Sequence, residues 1–246
     1  MTENSQWFRH WFDSAHYHKL YNKRNDKEAA DFVEHLLSHL HPAKQSSMLD
    51  IGCGNGRHSK YLASKGFNTT GFDLSLSSIR EAKKNETERL HFFQHDMRLS
   101  FGKNKFDYAF NFFTSFGYFQ QNEHVTVIKN ISGSLKQGGT FVLDYLNVQY
   151  AEGNIIPSEE KEIDGIIYSI SRWVDEKYFY KKILISGDQM AAPLEYVEQV
   201  ARFNKKDFEA LFLQHDLQIE ETYGDYELNT YYVKTSPRLI LIAKKM

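Results

Sequence analysis

The chain has 246 residues, about one and a half domains at roughly 150 residues each, with 41% apolar and 25% charged residues, the make-up of an ordinary globular protein. Its 30 Lys and Arg against 32 Asp and Glu leave a net charge of −2, which excludes a general attraction to nucleic acid or to an anionic membrane. A single cysteine excludes an internal disulfide and a multi-cysteine zinc site. At the N-terminus, Glu3, Arg9 and His10 mix with Trp7 and Phe8, and no apolar run ends in small residues, so no secretory signal is expected. Residues 7–23 carry Trp7, Phe8, Trp11, Phe12, Tyr17 and Tyr21 at helical spacing, which predicts one or two short amphipathic helices. Asn25, with Glu28 three residues on, has the form of a helix start. Ala29, Phe32, Val33, Leu36, Leu37 and Leu40 then make one apolar stripe, which Pro42 ends.

From Ser47 the period changes. Residues 48–51 form a short apolar run ending in Gly52-Cys53-Gly54-Asn55-Gly56, and a helix over 57–65 closes at Gly66. The pattern continues with a strand over 68–73, a helix over 75–85 with Ile79 and Ala82 inward, and strands over 90–94 and 106–112. A helix over 124–135, a Gly138-Gly139 turn and a strand over 140–146 follow. The uncharged aromatic stretch 108–119 is too short for the roughly 20 residues that cross a bilayer. This alternation predicts right-handed crossovers and a parallel sheet covered on both faces. After Asn147, strands over 166–173, 178–186 and 195–203 run with no helix between them, so they pair antiparallel. A helix over 205–215, with Asn204 at its start, and strands over 217–222 and 239–243 complete the pattern. The expected fold class is α/β: a doubly wound, Rossmann-like, mostly parallel seven-stranded sheet with an inserted antiparallel lid over 155–203, in a single domain over 1–246.

The glycine-rich turn sits where a first strand becomes a first helix, the edge at which doubly wound sheets bind ligands. A dinucleotide site expects its third glycine at position 57; here Arg57 stands there and Gly56 precedes it. That spacing disfavours a nicotinamide-dependent oxidoreductase. Asp50 through Gly56 resembles instead the first motif of the class I S-adenosylmethionine-dependent methyltransferases, and the resemblance runs with distinct motifs over residues 17–146. It implies S-adenosyl-L-methionine as cofactor, bound around Asp50, Gly52, Cys53, Gly54 and Gly56. Asp73, 21 residues after Gly52 and at the end of the second strand, takes the ribose hydroxyls, with Leu74 beside it. Asp96 takes the adenine amino group and Met97 the ring, while Asn111 and Phe112 reach the donor from the fourth strand. Tyr17, Tyr21 and Arg24 resemble the segment that closes over the methionine end, where a guanidinium suits a carboxylate.

Displacement at a sulfonium mainly needs alignment, which can lower the barrier by about 7–11 kcal/mol. Tyr118 and Tyr145 are the first candidates beside the acceptor, ahead of Asp144, His124 and Glu198. Nucleic-acid amino methyltransferases carry Asn-Pro-Pro-Tyr after the fourth strand, and this chain has Asn111-Phe112-Phe113-Thr114. Cys53 lies inside the glycine turn, where it cannot attack a pyrimidine carbon, and Lys181-Lys182 and Lys205-Lys206 are isolated basic pairs rather than a phosphate track. The late antiparallel insertion resembles the lid of small-molecule methyltransferases. The expected function is methyl transfer to nitrogen or oxygen of a small-molecule acceptor in the cytoplasm, with no nucleic acid, membrane or metal involved. The alternative is a non-catalytic S-adenosylmethionine-binding module.

Overall fold

A computed structural model describes residues 7–21, 26–187 and 190–246, the side chain of Gln121 excepted. Asn25 and Arg24, expected as a helix cap and a donor contact, lie outside the described residues. The aromatic N-terminal stretch forms two short helices, α1 (Trp7–Phe12) and α2 (Ala15–Leu20), separated by Asp13 and Ser14, the hydroxyl of Ser14 accepting the Tyr17 N–H. The apolar stripe becomes α3 (Asp26–Leu40), which buries Phe32, Val33 and Leu36. Strands and helices then alternate: β1 (Ser47–Ile51), α4 (Arg57–Ser64), β2 (Asn68–Asp73), α5 (Leu76–Lys83), β3 (Leu90–Gln94) and β4 (Phe106–Asn111). A 3₁₀ turn (Ser115–Tyr118), α6 (Gln121–Ser134) and β5 (Leu135–Leu146) follow.

After β5 come a short helix α7 (Val148–Gly153) and four strands, β6 (Ser158–Ile163), β7 (Ile166–Val174), β8 (Tyr178–Gly187) and β9 (Leu194–Ala201). These pair in chain order as an antiparallel four-stranded sheet. The chain then returns through α8 (Lys205–Leu213), β10 (Leu217–Tyr223) and β11 (Arg238–Lys245). Asn204 caps α8 as expected, its side chain accepting the Lys206 and Asp207 N–H groups.

The seven strands of the larger sheet lie in the order β10-β11-β5-β4-β1-β2-β3. All are parallel except β11, which runs antiparallel to both of its neighbours. The two-residue period of a strand sorts the core. On β5, Phe141, Leu143 and Tyr145 meet Val127, Ile128 and Ile131 of α6 and Phe208 and Phe212 of α8. Val142 points the other way, to the face that α3 and α4 cover with Phe32, Val33, Leu36 and Leu62. Coverage of both faces is incomplete. No helix lies between β3 and β4, so the face that α6 and α8 cover elsewhere is bare over β3, where Phe93 is 54% exposed. Among the described residues no helix is long and apolar enough to cross a membrane.

Candidate functional site

Strand β1 is flanked by β2 on one side and β4 on the other, so the loops leaving β1 and β4 part and open a crevice at their carboxyl ends. The glycine turn hangs there from the second strand: the Gly52 and Cys53 N–H groups both donate to the Phe72 carbonyl, at 2.9 and 3.0 Å. Gly52, Gly54 and Gly56 all take positive φ, a conformation that side-chain-bearing residues resist. They differ in what a side chain would meet. A Cβ on Gly52 would come within 2.8 Å of the Ser115 hydroxyl, and one on Gly56 within 2.4 Å of the Phe92 ring, whereas a Cβ on Gly54 would meet nothing within 4 Å. Gly54 thus presents bare backbone to open space.

That space is a cavity of about 280 Å³. Its floor is Gly52, Cys53, Gly54 and Asp73; Phe112, Phe113 and Ser115 close one side, and Tyr17, His18 and Tyr21 of the N-terminal segment roof it. A second, narrow cavity continues past Asp73 between Phe8, Leu74, Met97 and Phe119, with Asp96 at its rim. Gly52, Asp73, Ser115, Phe12 and Tyr118 line both. Asp73 therefore stands where a polar chamber meets a small apolar slot. Its carboxylate also holds the turn, accepting the Gly54 N–H at 2.9 Å and the Ser75 N–H at 2.8 Å.

Most of the expected donor residues converge here. Tyr17, Tyr21, Gly52, Cys53, Gly54, Asp73 and Phe112 line the larger cavity, Leu74, Asp96 and Met97 line the slot, and Tyr118 lines both. Three expected contacts stand one layer behind. Asp50 is fully buried and accepts the Ser59 hydroxyl at 2.5 Å; burial, reinforced by the charge of Asp73, pushes its carboxyl up to about 7. Gly56 starts α4 against Phe92. Asn111 donates from its amide to the Ile51 carbonyl and to the Ser115 hydroxyl, and its own oxygen is buried without a partner. Asp96 touches the slot with a carboxylate already engaged: Arg98 donates to both oxygens and Arg9 to one. Burial opposes its charge, but the two arginines outweigh this and hold the carboxyl below its usual range.

Tyr145 is a correction. Its neighbour Asp144 takes the other face of β5, so the Tyr145 ring turns into the α6/α8 core, where it is fully buried and donates its hydroxyl to the Ala201 carbonyl at 2.7 Å. It lines neither cavity. Asp144 is 1% exposed and bound to Arg238, and His124 is enclosed by Phe116, Phe119 and Phe203. Glu198 fastens the N-terminal helices to the second sheet: the Trp11 indole N–H and the Tyr21 hydroxyl donate to the same oxygen, at 2.6 and 2.7 Å. The Lys181 ammonium in turn donates to the Tyr21 hydroxyl at 2.5 Å. From below, Asp13 accepts the Ser75 hydroxyl and the Ser77 N–H at the start of α5.

Phe113 and His58 are among the cavity residues that escaped the sequence reading. Phe113 follows the fourth strand at φ +60°, and His58 stacks on Phe112 with centroids 4.3 Å apart. Burial first, then the charge of Arg57, pushes the His58 imidazole down to about 3, so it is neutral at neutral pH. Its position in the first turn after the glycines was the available signal.

Residues 48–139 match the methyltransferase domain family. A Geobacillus sp. (strain WCH70) protein provisionally named a methyltransferase is 29% identical over 167 residues, which span 65% of this chain and 66% of that one. The dTDP-3-amino-3,4,6-trideoxy-alpha-D-glucopyranose N,N-dimethyltransferase of Streptomyces venezuelae is 23% identical over 205 residues, 80% of this chain and 85% of that protein. Among solved structures, an S-adenosylmethionine-dependent methyltransferase from Clostridium acetobutylicum ATCC 824 superposes with a TM-score of 0.76 over 94% of this chain and 96% of that one, at 19% identity.

Proposed function

We propose that this chain, a methyltransferase of the class I S-adenosylmethionine-dependent fold, moves the methyl group of S-adenosylmethionine to a nitrogen or oxygen of a small-molecule acceptor. The observation that carries the reading is Gly54, whose backbone faces open space beside a carboxylate that separates a polar chamber from an apolar slot. Those residues fit an adenosyl donor. Phe8, Leu74, Met97 and Phe119 would sandwich a flat base, Asp73 would accept from the ribose, and the glycine backbone would pass under the methionine end. The bound donor supplies a sulfonium whose methyl is displaced in line by an acceptor lone pair.

What the protein does for that step is positional. Phe12, Tyr17, Phe113 and Tyr118 set an aromatic wall along the cavity, and ring faces favour a neighbouring cation by about 0.5–2 kcal/mol each. An acceptor held against that wall meets the reaction as a near-unimolecular event. An amine that arrives neutral needs no base. The Streptomyces venezuelae relative, named for N,N-dimethylation of a dTDP-linked amino sugar, supports nitrogen on a small polar molecule as the acceptor. The second sheet, fastened over α1 and α2 through Glu198, supports a lidded site for a small acceptor rather than an open track for nucleic acid.

Calorimetry with S-adenosylmethionine, its demethylated product and NAD tests the donor: the first two bind, NAD does not, and Asp73→Ala loses most of the affinity. Binding of NAD in place of S-adenosylmethionine overturns the reading. Incubation of the protein with methyl-labelled donor and a small-metabolite extract tests transfer, with Gly54→Ala as the control. Labelled product at the control level favours a donor-binding module without transfer.

A further inference from the structure

The cavity wall that follows β4 is built on two strained residues. Phe113 and Thr114 take φ values of +60° and +65° in succession, and neither is glycine. A β-branched residue such as threonine is a rare occupant of this region. Thr114 then starts the 3₁₀ turn, so the pair sets the direction of a segment from which Phe113, Ser115 and Tyr118 face the cavity. Left alone, such a backbone relaxes; something over-determines it.

The restraint comes from one ion pair. The Arg238 guanidinium donates to one oxygen of Asp144 through Nε at 2.7 Å and approaches it through Nη2 at 2.6 Å. The other oxygen of Asp144 accepts the Phe113 N–H at 2.8 Å and the Tyr226 hydroxyl at 3.2 Å. The Asp144 carbonyl accepts the Thr114 N–H at 2.9 Å, and Arg238 donates to the Thr114 hydroxyl at 3.0 Å. The guanidinium also lies 5.5 Å from the centre of the Phe113 ring. Each left-handed residue is thus gripped at its N–H, and each is also touched by the arginine. Neither Asp144 nor Arg238 lines the cavity. A buried ion pair is weak evidence for stability, because desolvation consumes much of the attraction. The geometry of this one points to another use.

We infer that Asp144 and Arg238 are positioning residues for the transfer, clamping Phe113 and Thr114 in the left-handed conformation so that Phe113 and Tyr118 face the acceptor. This rests on the methyltransferase reading above. It assigns no proton transfer to either residue.

The test compares the parent with Arg238→Met, Arg238→Lys and the double variant Arg238→Met with Thr114→Gly. Three readouts are taken on each: calorimetric binding of S-adenosylmethionine, amide hydrogen exchange over residues 112–118, and label transfer from the methyl donor into a small-metabolite extract. Arg238→Met is expected to bind the donor within threefold of the parent, to exchange at 113 and 114 at least tenfold faster, and to transfer at least tenfold more slowly. Glycine occupies positive φ without strain, so adding Thr114→Gly to Arg238→Met is expected to restore a large part of the transfer rate; Arg238→Lys is expected to fall between. A merely structural pair loses stability without that rescue. The proposal is overturned if Arg238→Met keeps the parent's exchange at 113–114, or if its transfer loss persists in the glycine double variant. Should Arg238→Met fail to fold, the lysine variant carries the same comparison. If the parent itself takes up no donor, the methyltransferase reading fails, and exchange at 113–114 alone decides the clamp.

Discussion

Replacing His124 by phenylalanine isolates one buried titration and gives it a size. The ring is 1% exposed, and Phe116 and Phe203 pack against it with centroids 4.8 Å away on both sides. Neither ring nitrogen is in hydrogen-bonding geometry. Burial pushes the imidazole down to about 4, an effect only partly offset by Glu123 and the neighbouring Gln120 and Phe116 backbone. In the unfolded chain the same group titrates near 6.5. As pH falls below 6.5, the unfolded chain therefore takes up a proton that the folded protein refuses, and stability declines until the folded value near 4 is reached. Between pH 7.5 and pH 5 this one group removes about 2 kcal/mol, roughly 4–8 °C in Tm for a chain of this size. His58, depressed for the same reason, adds its own loss, but it does so equally in both proteins and cancels from the comparison. Urea denaturation of the parent and of His124→Phe at the two pH values checks the figure. The variant should lose about 2 kcal/mol less than the parent on acidification. An identical loss in both refutes the assignment of a neutral, caged histidine.

Three further outcomes follow from the geometry. Gly54→Ala meets no atom within 4 Å, so it should cost only the left-handed strain of about 1–2 kcal/mol while weakening S-adenosylmethionine binding at least tenfold; Gly56→Ala, driven against Phe92, should lose more stability, and thermal melts with calorimetry separate the two. Tyr145→Phe should cost about 1–3 kcal/mol through the orphaned Ala201 carbonyl and leave transfer within twofold of the parent, as single-turnover assays would show. Glu198→Ala removes the acceptor shared by Trp11 and Tyr21, so amide exchange over residues 7–20 should accelerate and the donor KM should rise severalfold, with folding of the larger sheet untouched in melts.

Much of the cavity around the glycine turn was legible in the sequence because it is local. A strand, three glycines and a helix start lie within ten residues, and their backbone demands leave a visible spacing. Asp73 and Asp96 follow at successive strand ends, where the sheet topology alone brings them together. Elements without a pattern of their own were lost. Strand β6 reads Ser158-Glu159-Glu160-Lys161-Glu162-Ile163, a charged run that alternates nothing apolar because it pairs on one side only and faces solvent. Helix α7 is too short for a period to emerge. The Gly138-Gly139 turn is absorbed into β5, which begins directly at Leu135 and takes up the mismatch as a register shift against β4. Tyr145 misled for a different reason: Asp144 and Tyr145 occupy opposite faces, and only packing tells which face meets what. Arg238 left no trace at all, since its partner lies 94 residues earlier and a lone arginine at the start of a strand has no motif.

The hydroxyl of Tyr145 has a mechanical consequence. It ties the end of β9 to the middle of the larger sheet, and β9 is also the strand that packs on α1 and the 3₁₀ turn, while β6 is the outermost of the four. The rest of that sheet is held through the N-terminal helices instead: Trp11 and Leu20 pack among Tyr168 and Ile170 of β7 and Ile183 and Ile185 of β8, and Lys19 pairs with Asp164 in the β6–β7 turn. Any widening above the larger cavity would therefore have to carry α1 and α2 along with β6, β7 and β8, while Val200 and Ala201 stay with the larger sheet.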